Sequence, residues 1–129
     1  MDVERADFVA IPVRDLKRAD EFYAQPLGLR GNPNSSARWV EYELRNVTLA
    51  LVSPEAMGPE FEAHGHQMPI GLRVADVEEA RKKLEAKGIT FAHETIDSGV
   101  CILATFHDPD GNALQLHRRY APFRDGSLP

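Results

Sequence analysis

The chain has 129 residues, 43% of them hydrophobic, a length that suits one compact domain with a single core. Lys and Arg number 15 against 20 Asp and Glu, and the net charge of −5 argues against a nucleic-acid backbone as partner while leaving neutral or cationic small molecules open. No apolar stretch approaches the roughly 18–20 residues that cross a bilayer, the first residues lack the layout of a secretion signal, and one cysteine, Cys101, cannot close an internal disulfide, so a cytoplasmic protein off the membrane is expected.

The apolar run Phe8-Val9-Ala10-Ile11-Pro12-Val13 predicts a strand. Asp15 follows as an N-cap, and Leu16, Ala19, Phe22 and Tyr23 recur at helical spacing, which predicts an amphipathic helix closed by the glycine of Leu27-Gly28-Leu29. Strands are predicted over residues 39–44 and 47–52. Residues 53–67, rich in Pro, Gly, Glu and Ala, read as a surface linker with at most one helical turn around 59–63. The pattern then repeats: a strand from Ile70 to Ala75, Asp76 as N-cap with Glu79 at the capping-box position, Val77, Ala80 and Leu84 on one face, and Gly88 at the end. Three more strands are predicted over 90–94, 100–106 and 113–117. Cys101 falls in an apolar run, where a small buried hydrophobe is expected and nothing nearby would ionise a thiol.

The stretch Phe106-His107-Asp108-Pro109-Asp110-Gly111-Asn112-Ala113-Leu114-Gln115-Leu116 joins a tight turn to a strand. Proline supplies a φ of about −65° and glycine a positive φ, while Asp and Asn can bond the local backbone. Beyond the turn, Leu114 and Leu116 point one way and Ala113, Gln115 and His117 the other. This turn, together with Val13-Arg14-Asp15-Leu16, resembles the vicinal oxygen chelate superfamily of glyoxalase I, extradiol dioxygenases and bleomycin-resistance proteins. The resemblance covers about residues 8–118. It implies an α+β fold in which two tandem βαβββ modules form a curved mixed sheet around a cleft. The boundaries expected within a single domain over 1–129 are module one at about 6–53, a linker at about 54–67, module two at about 68–118 and a tail at 119–129. On element counts alone, a ferredoxin-like α+β sandwich is the alternative.

Members of this superfamily that are enzymes usually hold a divalent metal with His or Gln from the first strand of each module and Glu from the last. The matching positions here are Phe8 and Pro69, then Ala50 in Leu49-Ala50-Leu51 and Gln115 in Leu114-Gln115-Leu116. Only Gln115 carries an oxygen donor, and a neutral amide is a weak ligand, so no metal and no cofactor is expected. His64, His66 and His117 leave an unconventional site open, whereas His93 and His107 read as solvated or turn residues. No Ser-His-Asp set or activated nucleophile replaces a metal. Glu41 and Glu43 share one face of a strand, an arrangement open to acid–base work but commoner for solvated edge charges.

Alternation assigns the cleft lining, and with it the expected ligand-binding residues: Phe8, Pro12, Trp39, Glu41, Glu43, Arg73, Gln115 and His117. Phe8 and Trp39 suit stacking, Glu41 or Glu43 a cationic group, Arg73 a charge, and Gln115 orientation. Simple core filling by Trp39 is the competing reading. The opening Ile11-Pro12-Val13-Arg14-Asp15-Leu16, with Phe22-Tyr23 and Leu27-Gly28-Leu29, is similar to that of bleomycin-resistance proteins, which bind an antibiotic without a catalytic metal of their own and act as dimers. The resemblance therefore implies a small-molecule binder that sequesters or presents a planar, partly apolar ligand. A glyoxalase-like lyase, isomerase or dioxygenase with a shifted metal site is the alternative. An uncovered apolar face of Phe8, Ala10, Pro12 and Ala50 also predicts a homodimer.

Overall fold

In the computed structural model, which describes residues 1–129, Asp15 and Asp76 each sit in extended backbone and cap a helix. Asp15 Oδ1 accepts the Arg18 N–H at 3.1 Å, and Asp76 Oδ1 accepts the Glu79 N–H at 2.9 Å. Glu79 does not complete a capping box, because its carboxylate pairs with Lys83 at 2.6 Å. The chain packs as two units, Met1–His66 with Pro109–Asn112 and Gln67–Asp108 with Ala113–Pro129.

The first unit contains β1 (Phe8–Pro12), α1 (Leu16–Ala24), β2 (Trp39–Glu43), β3 (Thr48–Val52) and α2 (Pro54–Met57). Its sheet has the order β1-β3-β2, with β1 parallel and β2 antiparallel to β3. Alternation sends Ile11, Tyr42, Leu49 and Leu51 to one face, where all are fully buried together with Ala19 and Tyr23 of α1. Each such aliphatic side chain contributes roughly 1.5–3 kcal/mol. Tyr23 stacks on Tyr42 with ring centroids 5.9 Å apart, and the Tyr42 hydroxyl donates to the Asp20 carboxylate. Burial, reinforced by that carboxylate, pushes the Tyr42 phenol well above its ordinary pKa. After α1 the chain is closed by Gly28 at φ 67° and by Leu29 N–H donating to Tyr23 O at 3.1 Å. Only two strands follow α1, and a single bridge between Gly31 and Tyr42 stands where a third would be.

The helical turn expected around 59–63 lies instead at α2, because Pro54, separated from the strand only by the N-cap Ser53, supplies the fixed φ at the helix start. Gly58, at φ 110°, stops it before Pro59. The turn at 108–112 is tied into the first unit. Asn112 is fully buried, accepts the His66 N–H at 3.0 Å and donates to Pro12 O at 2.9 Å. Asp110 Oδ1 accepts the Arg14 N–H at 2.9 Å. Gly65 runs so close to this turn that a Cβ would meet Asp110 O at 2.7 Å and Gly111 C at 2.8 Å.

The second unit contains β4 (Ile70–Arg73), α3 (Val77–Ala86), β5 (Ile96–Asp97), β6 (Cys101–His107) and β7 (Ala113–Arg119), with sheet order β4-β7-β6-β5. β4 runs parallel to β7, and the other pairs are antiparallel. Phe106, Leu114 and Leu116 are buried on the face that also takes Val77 and Leu84 of α3. A Schellman cap ends α3: Ile89 N–H donates to Leu84 O and Gly88 N–H to Glu85 O, with Gly88 at φ 89°.

The strand expected over 90–94 is reduced to one bridge, Phe91 to Phe106, and the edge strand β5 begins only at Ile96. Arg81 explains the break, since its Nη1 takes His93 O at 3.0 Å and Thr95 Oγ1 at 3.2 Å, while its guanidinium lies 4.7 Å from the Phe91 ring centre. Cys101 is half-buried rather than buried, with Sγ 3.0 Å from Ser98 Oγ at the tight turn that opens β6. No helix is long and apolar enough to cross a membrane.

Candidate functional site

The open face of the first sheet carries Phe8 and Pro12 from β1, Trp39, Glu41 and Glu43 from β2, and Thr48, Ala50 and Val52 from β3. Five of the eight expected ligand-binding residues, Phe8, Pro12, Trp39, Glu41 and Glu43, thus share one surface. Phe8 and Trp39 stand at opposite corners of the register, yet their rings meet edge to face with centroids 5.5 Å apart. Ala50 lies at the centre of that diagonal, flanked by Ala10 and Glu41, and the two rings account for its complete burial. The expectation that Ala50 is uncovered fails for this reason. Phe8, by contrast, keeps 55% of its surface exposed.

Trp39 is partly buried and does not fill the core. Its Nε1 donates to Glu41 Oε1 at 2.6 Å, which fixes the indole along the strand. Glu43 accepts from Asn32 Nδ2 at 2.7 Å. Both carboxylates therefore have neutral hydrogen-bond partners rather than cationic ones on this face. Asn32, in the loop before β2, carries no signal in the sequence that marks it as a partner.

The second sheet brings Arg73, Gln115 and His117 onto one face. Gly71 stands beside Gln115 and Arg73 beside His117 in the parallel β4–β7 register. Gln115 Nε2 donates to Thr105 Oγ1 at 3.0 Å, so Thr105 belongs to this face as well. Alternation along β6 is the signal that would have found it.

The four positions where the superfamily's enzymes hold a metal do not fit a divalent ion. Phe8, Pro69 and Ala50 have no side-chain donor, Ala50 is the buried floor beneath two rings, and Gln115 is engaged with Thr105. No three His, Cys, Asp or Glu side chains converge as a cation site. His64 is exposed beside Glu62 at 3.4 Å, while His66 uses its backbone N–H on Asn112. His93 and His107 are exposed. A shallow depression at the N-terminus of α3 is lined by Asp76, Glu78, Asp97 and Arg118, on the helix side of the second sheet and away from Gln115.

Comparison with known proteins agrees with this architecture. The protein is 29% identical over 118 residues to the uncharacterized protein YurT of Bacillus subtilis, covering 83% of this chain and 93% of that one. Its fold is similar to that of TnmS3, an antibiotic binding protein from Streptomyces sp. CB03234, with a TM-score of 0.76 at 24% identity over 92% of this chain and 98% of that one. It is also similar to lactoylglutathione lyase from Agrobacterium tumefaciens, with a TM-score of 0.73 at 20% identity over 90% and 94% of the two chains. The family model for the glyoxalase/bleomycin resistance protein/dioxygenase superfamily matches residues 5–116. Two βα-led halves with mixed sheets, matched along most of their length, make this chain a member of that superfamily.

Proposed function

We propose that this protein binds a planar, partly apolar small molecule, sequestering or presenting it in the manner of bleomycin-resistance proteins, without a catalytic metal. One observation carries the reading. An aromatic pair, Phe8 and Trp39, is laid on an open sheet face with Trp39 pinned to Glu41, and Phe8 remains 55% exposed to receive a further ring. The same face carries two carboxylates that suit a cationic substituent, and the antibiotic binding protein TnmS3 has the same fold. Pro12 lines the edge of this surface, and Arg73, Gln115 and His117 line the corresponding face of the second sheet. The exposed flank of Phe8 and Val9 supports a homodimer.

The test is a titration of planar antibiotics and aromatic metabolites followed by Trp39 emission, run beside thermal melts with and without chelator. Emission changes together with a chelator-insensitive melting temperature are expected. A melting temperature lowered by chelator and restored by zinc, nickel, manganese or iron would replace this reading with a metal-dependent glyoxalase-like enzyme. Light scattering that finds only monomer at micromolar concentration would remove the dimer.

A further inference from the structure

We propose that the open face of the second sheet binds an oxyanion, the carboxylate or phosphate group of an otherwise apolar small molecule, at Arg73 and His117. The proposal rests on the reading above only in taking this face as ligand-facing, and it adds the charge class of what lies there.

The four strands put Arg73, His107, His117 and Arg119 on this face and no Asp or Glu, in a chain whose acids outnumber its bases. Arg73 and His117 are register partners on neighbouring parallel strands, so their side chains rise together. Neither side chain makes a hydrogen bond or ion pair within the chain, and His117 engages only through its backbone, whose O accepts the Val74 N–H at 3.1 Å. Arg119 is different: its guanidinium donates to Ala121 O and Pro122 O, each at 2.9 Å, and lends only its charge.

The space beside these two groups is open. Gly71, next to them on β4, presents no side chain, and a Cβ there would touch only the His117 Cβ, at 3.9 Å. Thr105 accepts from Gln115 and keeps its own O–H to donate. A fork of guanidinium N–H groups, an imidazole and a hydroxyl is a donor set matched to an oxyanion, which Arg holds in a bidentate manner. Leu103, opposite His117 on β6, offers an apolar shelf for the rest of the molecule.

Phenyl phosphate, benzoate and inorganic phosphate, with benzylamine as the cationic control, should be titrated into the isotope-labelled protein. The His117 imidazole and Arg73 Nε resonances are the readout. The anions are expected to shift both, more strongly at low salt, and benzylamine neither. Phenyl phosphate above benzoate identifies a phosphate site, the reverse a carboxylate site, and inorganic phosphate alone shows whether the apolar part matters. Arg73→Ala should weaken binding about tenfold or more and Arg73→Lys less, since a point charge replaces the fork. Gly71→Leu, which fills the space while keeping every charge, should block binding. No shift with any anion up to about 10 mM, weaker than any specific site, would overturn the proposal, as would equal shifts with benzylamine or unchanged affinity in Arg73→Ala. Trp39 emission reports the other sheet, so a failure here and a failure of the aromatic reading are seen separately.

Discussion

The two halves share a frame and differ on their open faces. Each follows its first strand with an aspartate-capped helix, each closes that helix with a positive-φ glycine, and each pairs its first strand in parallel with its last. On the open face, however, the first sheet carries Glu41 and Glu43 and no basic strand residue, whereas the second carries Arg73, His117 and Arg119 and no acidic one. The frame is dictated by backbone requirements that tolerate few residue types. The open faces are free of such requirements, so their residue types can differ from one sheet to the other. The cores differ too, with a polar tie from Tyr42 to Asp20 in the first and an all-apolar pair, Phe91 on Phe106 at 5.2 Å, in the second.

The largest expected effect tests the cores. Phe106→Ala should destabilise the protein by about 3–5 kcal/mol, the usual cost of emptying a fully buried aromatic site, as measured by urea unfolding. Next, on the open face, Trp39→Ala should weaken binding of a planar ligand by about 1–3 kcal/mol. Calorimetry that found affinity unchanged would leave the acidic sheet without a ligand role.

Tyr42→Phe should cost about 1–2 kcal/mol by removing one hydrogen bond to a carboxylate. Because the folded-state pKa of Tyr42 is raised, its contribution is complete below the ordinary tyrosine value near 10 and is lost as pH climbs above it. Wild-type stability should therefore fall more steeply than that of Tyr42→Phe on the alkaline side, and parallel slopes would deny the polar tie. The smallest effect is at Gln115→Ala, about 0.5–1.5 kcal/mol of ligand affinity for a neutral hydrogen bond. Exchange of Gln115 for Glu is expected to give no metal-dependent activity, since it adds one carboxylate where no other donor stands.

Two of the three helices, α1 and α3, and six of the strands could be read from the chain because their signals are local: Asp15, Asp76, Gly88, and the alternation of Leu114 and Leu116. Residues 90–94 misled because Thr90 and Phe91 have strand character, while the group that withdraws His93 O from pairing, Arg81, lies on a helix twelve positions away. The aromatic face was legible as alternation, but not the diagonal meeting of Phe8 and Trp39 over Ala50, which depends on the register of three strands. Asn32 was missed because a hydrogen bond between two side chains leaves no periodic trace, whereas Thr105 was within reach of the alternation along β6 that places it opposite Gln115.

Gly65 has a practical consequence for anyone grafting onto this scaffold. With room there for a hydrogen and no more, the passage behaves as a narrow gate between two stretches of unequal tolerance. Upstream, at the exposed residues Met57, Pro59 and Glu60, a tag, a protease site or new chain termini should be accepted. At Gly65 even a methyl group would have to displace the backbone of Asp110 and Gly111, so the same insertion moved a few positions along should abolish folding rather than decorate it.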